Sequence, residues 1–171
     1  MATSYTSALA DTDSALIDRI IDDVYARMLA DYRINRFFNS KPLTEQTGAL
    51  KTLVGSALSG TRINDCMDLL EHYFADSFGR DNAKPSLVTG NDFMFLLDVI
   101  GGEKERTPTA MCATHSFLLK LRPDDTHYDV LMEHLVAVLK QDNVSPDLGN
   151  RLLAMAENAR DDVLGRGVLS A

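Results

Sequence analysis

The chain has 171 residues, of which 45% are hydrophobic, and this length and composition suit one domain with its own core. It has 17 lysine and arginine residues and 25 aspartate and glutamate residues. The resulting net charge of -8 disfavours binding to nucleic acid or to an anionic membrane. Cys66 and Cys112 stand alone, without the spacing of a zinc site or a disulfide framework, which indicates a reducing compartment. The polar start and the lack of a run of about 18 apolar residues predict a soluble, cytoplasmic protein without a signal peptide.

The first predicted helix follows a short polar segment. Residues 1–13 are predicted to form a flexible arm ahead of a single domain over 14–171. Ser14 is a suitable N-cap for a helix that runs to about Asp31. Apolar residues recur along this helix at the spacing of one buried face. They are Ile17, Ile20, Ile21, Val24 and Met28.

The middle of the chain predicts three helices. Thr44 can cap the first, which covers 44–59 and ends at a Ser-Gly pair. Apolar residues at helical spacing predict the other two over 62–79 and 87–100, with the loop GRDNAKPS between them. A glycine pair ends the third helix.

A histidine on an apolar helix face follows this glycine pair, Gly101 and Gly102. Pro108 is typical of a first helical turn, and it places His115 two turns into the next helix. Met111 lies four residues before His115 and therefore on the same face. A single histidine on an apolar face is most often a packed core residue bonded to a carbonyl, so this interpretation stands beside any functional one.

Two helices with clear start signals complete the chain. Asp124, Asp125 and Thr126 supply cap candidates for the first, and Ser145 followed by Pro146 marks the start of the second. A glycine at position 165 ends it. No segment alternates with the period of a strand, so the chain is predicted to be all-α, with about seven helices that pack ridge into groove.

The segment GGEKERTPTAMCATH, which ends at His115, resembles the truncated globins of group I, in which a Gly-Gly turn leads through a loop and a Met to the proximal histidine. Tyr25 and Phe38 are thirteen residues apart, as in that family. The segment HYDVLMEHLVAVLKQDNVSPDLGNRLLAMAENARDDVLGR is similar to the family's last two helices. The resemblance implies a globin-like helical domain that binds haem b.

The resemblance also implies roles for individual side chains. His115 corresponds to the axial ligand of the haem iron. Tyr25 corresponds to the distal hydroxyl that donates a hydrogen bond to an iron-bound ligand, and Phe38 to the ring that stacks on the porphyrin. Gln46 and Leu50 fall where side chains close over the haem. The complete cofactor-binding set implied is Tyr25, Phe38, Gln46, Leu50, Met111 and His115.

The chain departs from the family pattern in two places. About forty residues within 61–100 are extra, so two helices compete for the distal position. The helix over 44–59 is favoured because it continues directly from the phenylalanine pair that ends at Phe38. The alternative helix over 87–100 would bring Val88, Asp92 and Phe93 into the pocket instead of Gln46 and Leu50. The family's glycine pair ahead of the tyrosine helix is also missing, because that place reads ALADTDSALIDR.

Other histidines offer alternative chemistry. His72 is a rival ligand, which could supply a second axial imidazole and make the iron six-coordinate. His127 and His134 lie two turns apart on one helix beside Glu133, but no metal-binding motif accompanies them. A solvated helix face is the favoured interpretation of that pair.

Two hypotheses of function follow. The first is a haem protein that binds oxygen, nitric oxide or carbon monoxide for storage, sensing or nitric oxide dioxygenation, with peroxidase activity as a side reaction and a reductase as a partner. The second is a cofactor-free, globin-like helical module that acts through protein contact. The extra helices would serve that contact, and they also offer a surface for a homodimer.

Overall fold

A computed structural model describes residues 11–61, 63–80 and 113–165. Within these ranges the chain has six α-helices, two short 3-10 helices and no strand, which confirms the all-helical prediction. The α-helices are α1 (Asp11–Ala30), α2 (Leu43–Leu58), α3 (Met67–Phe78), α4 (Ala113–Lys120), α5 (Asp125–Gln141) and α6 (Pro146–Val163). The 3-10 helices cover Asn35–Phe37 and Ile63–Cys66. None of the helices in the described ranges combines the length and the apolar content needed to cross a membrane.

The first helix, α1, contacts both α2 and α5 and supplies much of the core. Its predicted buried face is confirmed, because Ile17, Ile20, Ile21, Val24 and Met28 are each at most 8% exposed. The helix begins at Asp11, three residues before the expected cap at Ser14. Carboxylates in a first turn interact favourably with the positive end of the helix dipole, which suits this earlier start. The rest of the predicted arm, residues 1–10, lies outside the described ranges.

Contacts between neighbouring helices follow the order α4, α3, α2, α1, α5, α6. A hydrogen bond between His115 of α4 and the carbonyl of Val163, the last residue of α6, closes this series into a ring. Helix α3 therefore contacts both α2, which carries Gln46, and α4, which carries His115.

The starts of the last two helices are as predicted. The Asp124 carboxylate accepts hydrogen bonds from the backbone N–H groups of Thr126 and His127. His127 completes a capping box, because its Nδ1 accepts from the backbone N–H of Asp124 at 3.1 Å. Ser145 caps α6, and Pro146 occupies the first turn. These starts could be predicted because a cap depends on residues within one turn of each other.

The boundaries in the middle of the chain differ from the predictions. Helix α2 begins at Leu43, ahead of the expected cap at Thr44, because the carbonyl of Pro42 already accepts from two N–H groups of the first turn. The helix predicted over 62–79 starts as a 3-10 turn and becomes α-helical at Met67. The predicted helix over 87–100 and the helix start at Thr107 and Pro108 lie outside the described ranges.

Candidate functional site

Tyr25 lies at the centre of a buried polar and aromatic cluster. It is 2% exposed, and its ring meets that of Phe38 edge to face with 5.5 Å between the centroids. Its hydroxyl donates to the Tyr73 hydroxyl at 2.8 Å and lies 3.0 Å from Ser77 Oγ, so it contacts two residues of α3. Burial raises the pKa of Tyr25 well above its ordinary value and raises the pKa of Tyr73 to about 12. Both phenols therefore keep their protons at neutral pH.

Asn39 connects this cluster to the end of α3. Its side-chain amide donates to the carbonyl oxygens of Asp76 and Gly79 at 2.8 and 2.9 Å, and its backbone N–H donates to the carbonyl of Ser77 at 2.9 Å. The last carbonyl groups of a helix have no hydrogen-bond donor within the helix. Asn39 provides donors for the carbonyl groups at the end of α3. This residue fixes the end of α3 against the segment that carries Phe38.

Gln46 of α2 completes the cluster. It is fully buried, although a glutamine in a first helical turn is usually solvated. Its Nε2 donates to the backbone oxygen and to Oδ1 of Asn39, both at 2.9 Å, and Ser77 Oγ donates to its backbone oxygen at 3.1 Å. Its Oε1 is buried and accepts no hydrogen bond within the described part of the chain. Leu50, one turn further along α2, is partly buried against the core.

His115 of α4 also contacts α3. It is fully buried, and its Nε2 is 2.8 Å from the carbonyl oxygen of Val163. Its ring meets that of Phe74 with 4.8 Å between the centroids and 63° between the planes. This is the geometry of a packed core histidine bonded to a carbonyl, which the sequence offered as one interpretation. Met111, the other residue expected on this side, lies outside the described ranges.

Aromatic rings of α3 form a continuous series of contacts from Phe38 to His115. Ring centroids are separated by 5.3 Å from Phe38 to Phe78, by 5.7 Å from Phe78 to Phe74, and by 4.8 Å from Phe74 to His115. A flat macrocycle needs roughly 3.5 Å to the nearest atoms on each of its faces. An imidazole, buried aromatic rings and a hydroxyl donor are the kinds of group that bind haem. With α3 in this position, however, the packed rings leave no space for the macrocycle.

The remaining histidines have other roles. His72 is exposed, and its Nδ1 contacts the carbonyl oxygen of Asp68 within its own helix. His127 caps α5, and His134 Nε2 lies 2.8 Å from Oδ2 of Asp31. The expectation that His127 and His134 share a solvated face was wrong, because both are partly buried and bonded to other residues. No group of three potential metal ligands occurs in the described part of the chain.

The structure thus brings Tyr25, Phe38 and Gln46 together beside Ser77 and Phe78 of α3, and it packs His115 against Phe74 of the same helix. The alternative distal helix over 87–100, with Val88, Asp92 and Phe93, lies outside the described ranges. Sequence reasoning did not identify Asn39, Tyr73, Phe74 or Ser77 as part of this site. The only local signal was the spacing of Tyr73, Phe74, Ser77 and Phe78, which share one face of a helix.

Comparisons with protein-family models, with curated proteins and with solved structures found no match for this chain.

Proposed function

We propose that this chain binds haem b with His115 as the axial ligand and that the bound haem takes a diatomic gas. The single observation that carries the proposal is that His115 and Tyr25 are both buried and both contact the same short helix, α3. The proposal also draws on the sequence resemblance around His115. Phe38, Gln46 and Leu50 would hold the face of the haem on the Tyr25 side, and Met111 the face on the His115 side.

His115 has the hydrogen bond that an axial imidazole needs. A carbonyl oxygen only accepts, so Nε2 carries the hydrogen in the contact with Val163, and the lone pair of the neutral ring is then on Nδ1. A carbonyl that accepts from one ring nitrogen fixes the ring orientation and raises the basicity of the other.

Tyr25 would act as the donor on the opposite face. Its raised pKa keeps the hydroxyl protonated, and one neutral hydrogen bond contributes about 0.5–1.5 kcal/mol to ligand affinity. Bound haem would supply an iron with an open coordination position for oxygen, nitric oxide or carbon monoxide. Turnover of nitric oxide or peroxide, and a reductase partner, belong to the same proposal.

A second candidate function follows from the position of α3. Its rings close the core without a cofactor, which favours a helical module that acts through protein contact, including contact with a second copy of the chain. The two candidates differ in whether the chain takes up hemin at all.

Titration with hemin, followed by absorbance in the Soret region, tests the proposal. We expect wild-type protein to retain one hemin per chain through gel filtration and to bind carbon monoxide after reduction. We expect His115→Ala to lose the retained hemin or its five-coordinate ferrous spectrum. The matched control is His72→Ala, at an exposed histidine whose loss should leave the spectrum unchanged.

The outcomes separate the two candidates. Wild-type protein that retains no hemin supports the cofactor-free module. An unchanged stoichiometry and spectrum in His115→Ala would rule out the axial assignment. A spectrum that changes only in His72→Ala would assign the axial ligand to His72 of α3 instead of His115.

A further inference from the structure

One side of helix α5 faces away from the core. Within the described ranges α5 packs mainly against α1 and α6, and its buried residues include Leu135, Val138 and Leu139. The other side forms a shallow, open groove, and the spacing of its residues places them along one stripe of the helix. They are Asp129, Met132, Glu133, Val136, Ala137 and Lys140, which we call the α5 face.

The centre of the α5 face is apolar. Met132, Val136 and Ala137 are partly exposed. A second groove, between the end of α5 and the start of α6, continues from Val136 to Val144 and Leu153. An apolar strip rimmed by charged residues is typical of a surface that contacts another protein.

Charges of opposite sign lie on either side of this centre. Glu133 precedes it and Lys140 follows it, and both are exposed. Glu133 Oε2 accepts from Arg33 at 3.2 Å, but its side chain is 60% exposed, and a carboxylate can accept from further donors. Asp129 is paired with Arg160 at 2.8 Å. The charge pattern open to a partner therefore depends on Glu133 and Lys140.

This pattern is complementary to itself when two copies of α5 lie antiparallel. A two-fold axis between Val136 and Ala137 places Glu133 of each copy opposite Lys140 of the other, because the two positions are equally far from that axis. A parallel pair would instead place Glu133 opposite Glu133, which is repulsive. A partner of one sign would complement only half of the face, whereas a second copy complements both halves.

We propose that the α5 face binds the α5 face of a second copy in an antiparallel, two-fold symmetric dimer. The inference goes beyond haem binding and does not depend on it, and it gives a definite surface to the contact between copies. The contact is small, and the net charge of -8 on each chain opposes association. The dimer is therefore expected to be weak and to dissociate on dilution.

Sedimentation equilibrium over about a hundredfold range of concentration tests the proposal. Wild type should pass from monomer to dimer across this range. Glu133→Lys should raise the dissociation constant about tenfold or more, because it places like charges opposite each other at two symmetric positions. Lys140→Glu should do the same. The control is Glu71→Lys, an equal change of charge at an exposed position of α3, which should leave the constant within about twofold of wild type.

A mixture of the two single variants tests the antiparallel geometry. Each of the two positions in one variant then faces the opposite charge in the other, so the mixture should form a heterodimer although neither variant dimerises well alone. The double variant Glu133→Lys/Lys140→Glu should dimerise as wild type does. Ala137→Arg places two cations beside the axis and should abolish the dimer. Circular dichroism checks that each variant is folded.

Wild type that stays monomeric at every concentration would overturn the proposal. A dimer that Glu133→Lys and Ala137→Arg leave unchanged would also overturn it, because the contact would then lie elsewhere. Weakening that neither the mixture nor the double variant reverses would exclude the antiparallel pairing. Hemin titration keeps the proposed function separate. A dimer that binds no hemin overturns the haem proposal alone, and a monomer that binds hemin overturns the α5 contact alone.

Discussion

The Tyr25 hydroxyl joins α1 to α3 through two buried contacts. It donates to the Tyr73 hydroxyl at 2.8 Å and lies 3.0 Å from Ser77 Oγ. Because a buried hydroxyl without a partner is costly, these contacts stabilise the packing of the two helices.

Replacing this hydroxyl should lower the stability of the folded protein. We expect Tyr25→Phe to reduce the free energy of unfolding by about 1–3 kcal/mol, because Tyr73 and Ser77 lose a buried partner. Urea denaturation followed by circular dichroism measures the change. Tyr32→Phe is the matched control, since Tyr32 is 85% exposed, and its change should stay within about 0.5 kcal/mol. A Tyr25→Phe variant as stable as wild type would contradict the hydrogen bonding described here.

The residues of the site differ in how well the sequence predicts them. Tyr25, Phe38 and Gln46 could be selected because the resemblance to the truncated globins implies roles for them in one pocket. Asn39 and Ser77 could not, because each is defined by its partner on another element, 31 to 40 positions away. The burial of Gln46 also depends on α3 lying over it, which no local pattern indicates.

At the scale of elements, Asp31 ties the end of α1 to α5. Its carboxylate accepts from Arg33 at 2.7 Å and lies 2.8 Å from Nε2 of His134. The hydrogen bonds from Arg33, with a smaller contribution from His134, hold the pKa of Asp31 well below its ordinary value of 3.8. The folded state therefore binds the proton of this carboxyl group less strongly than the unfolded state does.

This difference predicts a pH dependence for the α1–α5 contact. Because the folded pKa is the lower one, the stabilisation from Asp31 is fully present above about pH 5 and is lost as the pH falls below about 4. Wild type should therefore exceed Asp31→Asn in stability at pH 6, and the gap should shrink at pH 3. Urea unfolding at several pH values measures it. Glu71→Gln controls for the loss of one negative charge at an exposed site, and a gap independent of pH would exclude the effect.

The elements themselves were predicted unevenly, for a physical reason. Helices α5 and α6 have their starts fixed by Asp124 and Ser145, whose caps are local, so their boundaries follow from the sequence. Helix α3 was predicted as a helix from its apolar spacing, but its place between α2 and α4 was not. Apolar residues at helical spacing show that a helix buries one side, but they do not show which other element covers that side.

At the scale of the whole molecule, the ring of helices is closed through α3 and through the bond of His115 to Val163. Helix α3 supplies Leu70, Phe74 and Phe78 to the core, each at most 7% exposed. Because burial of apolar surface is the dominant favourable contribution to folding, α3 is an integral part of this core.

If the chain binds haem beside His115, as proposed, removal of the Phe74 ring should create a defect that bound hemin offsets. Phe74→Ala is expected to lower the free energy of unfolding by about 3–5 kcal/mol, because the cavity left beside His115 collapses only in part. Ligand that binds the folded state restores stability according to its concentration relative to Kd. We expect saturating hemin to raise the melting temperature of Phe74→Ala more than that of Leu152→Ala, which empties a buried site on α6.

This comparison tests the arrangement of the molecule as a whole. Phe74→Leu, a smaller change, serves if Phe74→Ala does not fold, and it should show the same order of response. An equal rise in both variants would mean that hemin binds away from α3. A rise in neither would mean that the closed ring of helices is the working state, and the site would then be the core of a module that acts through its surface.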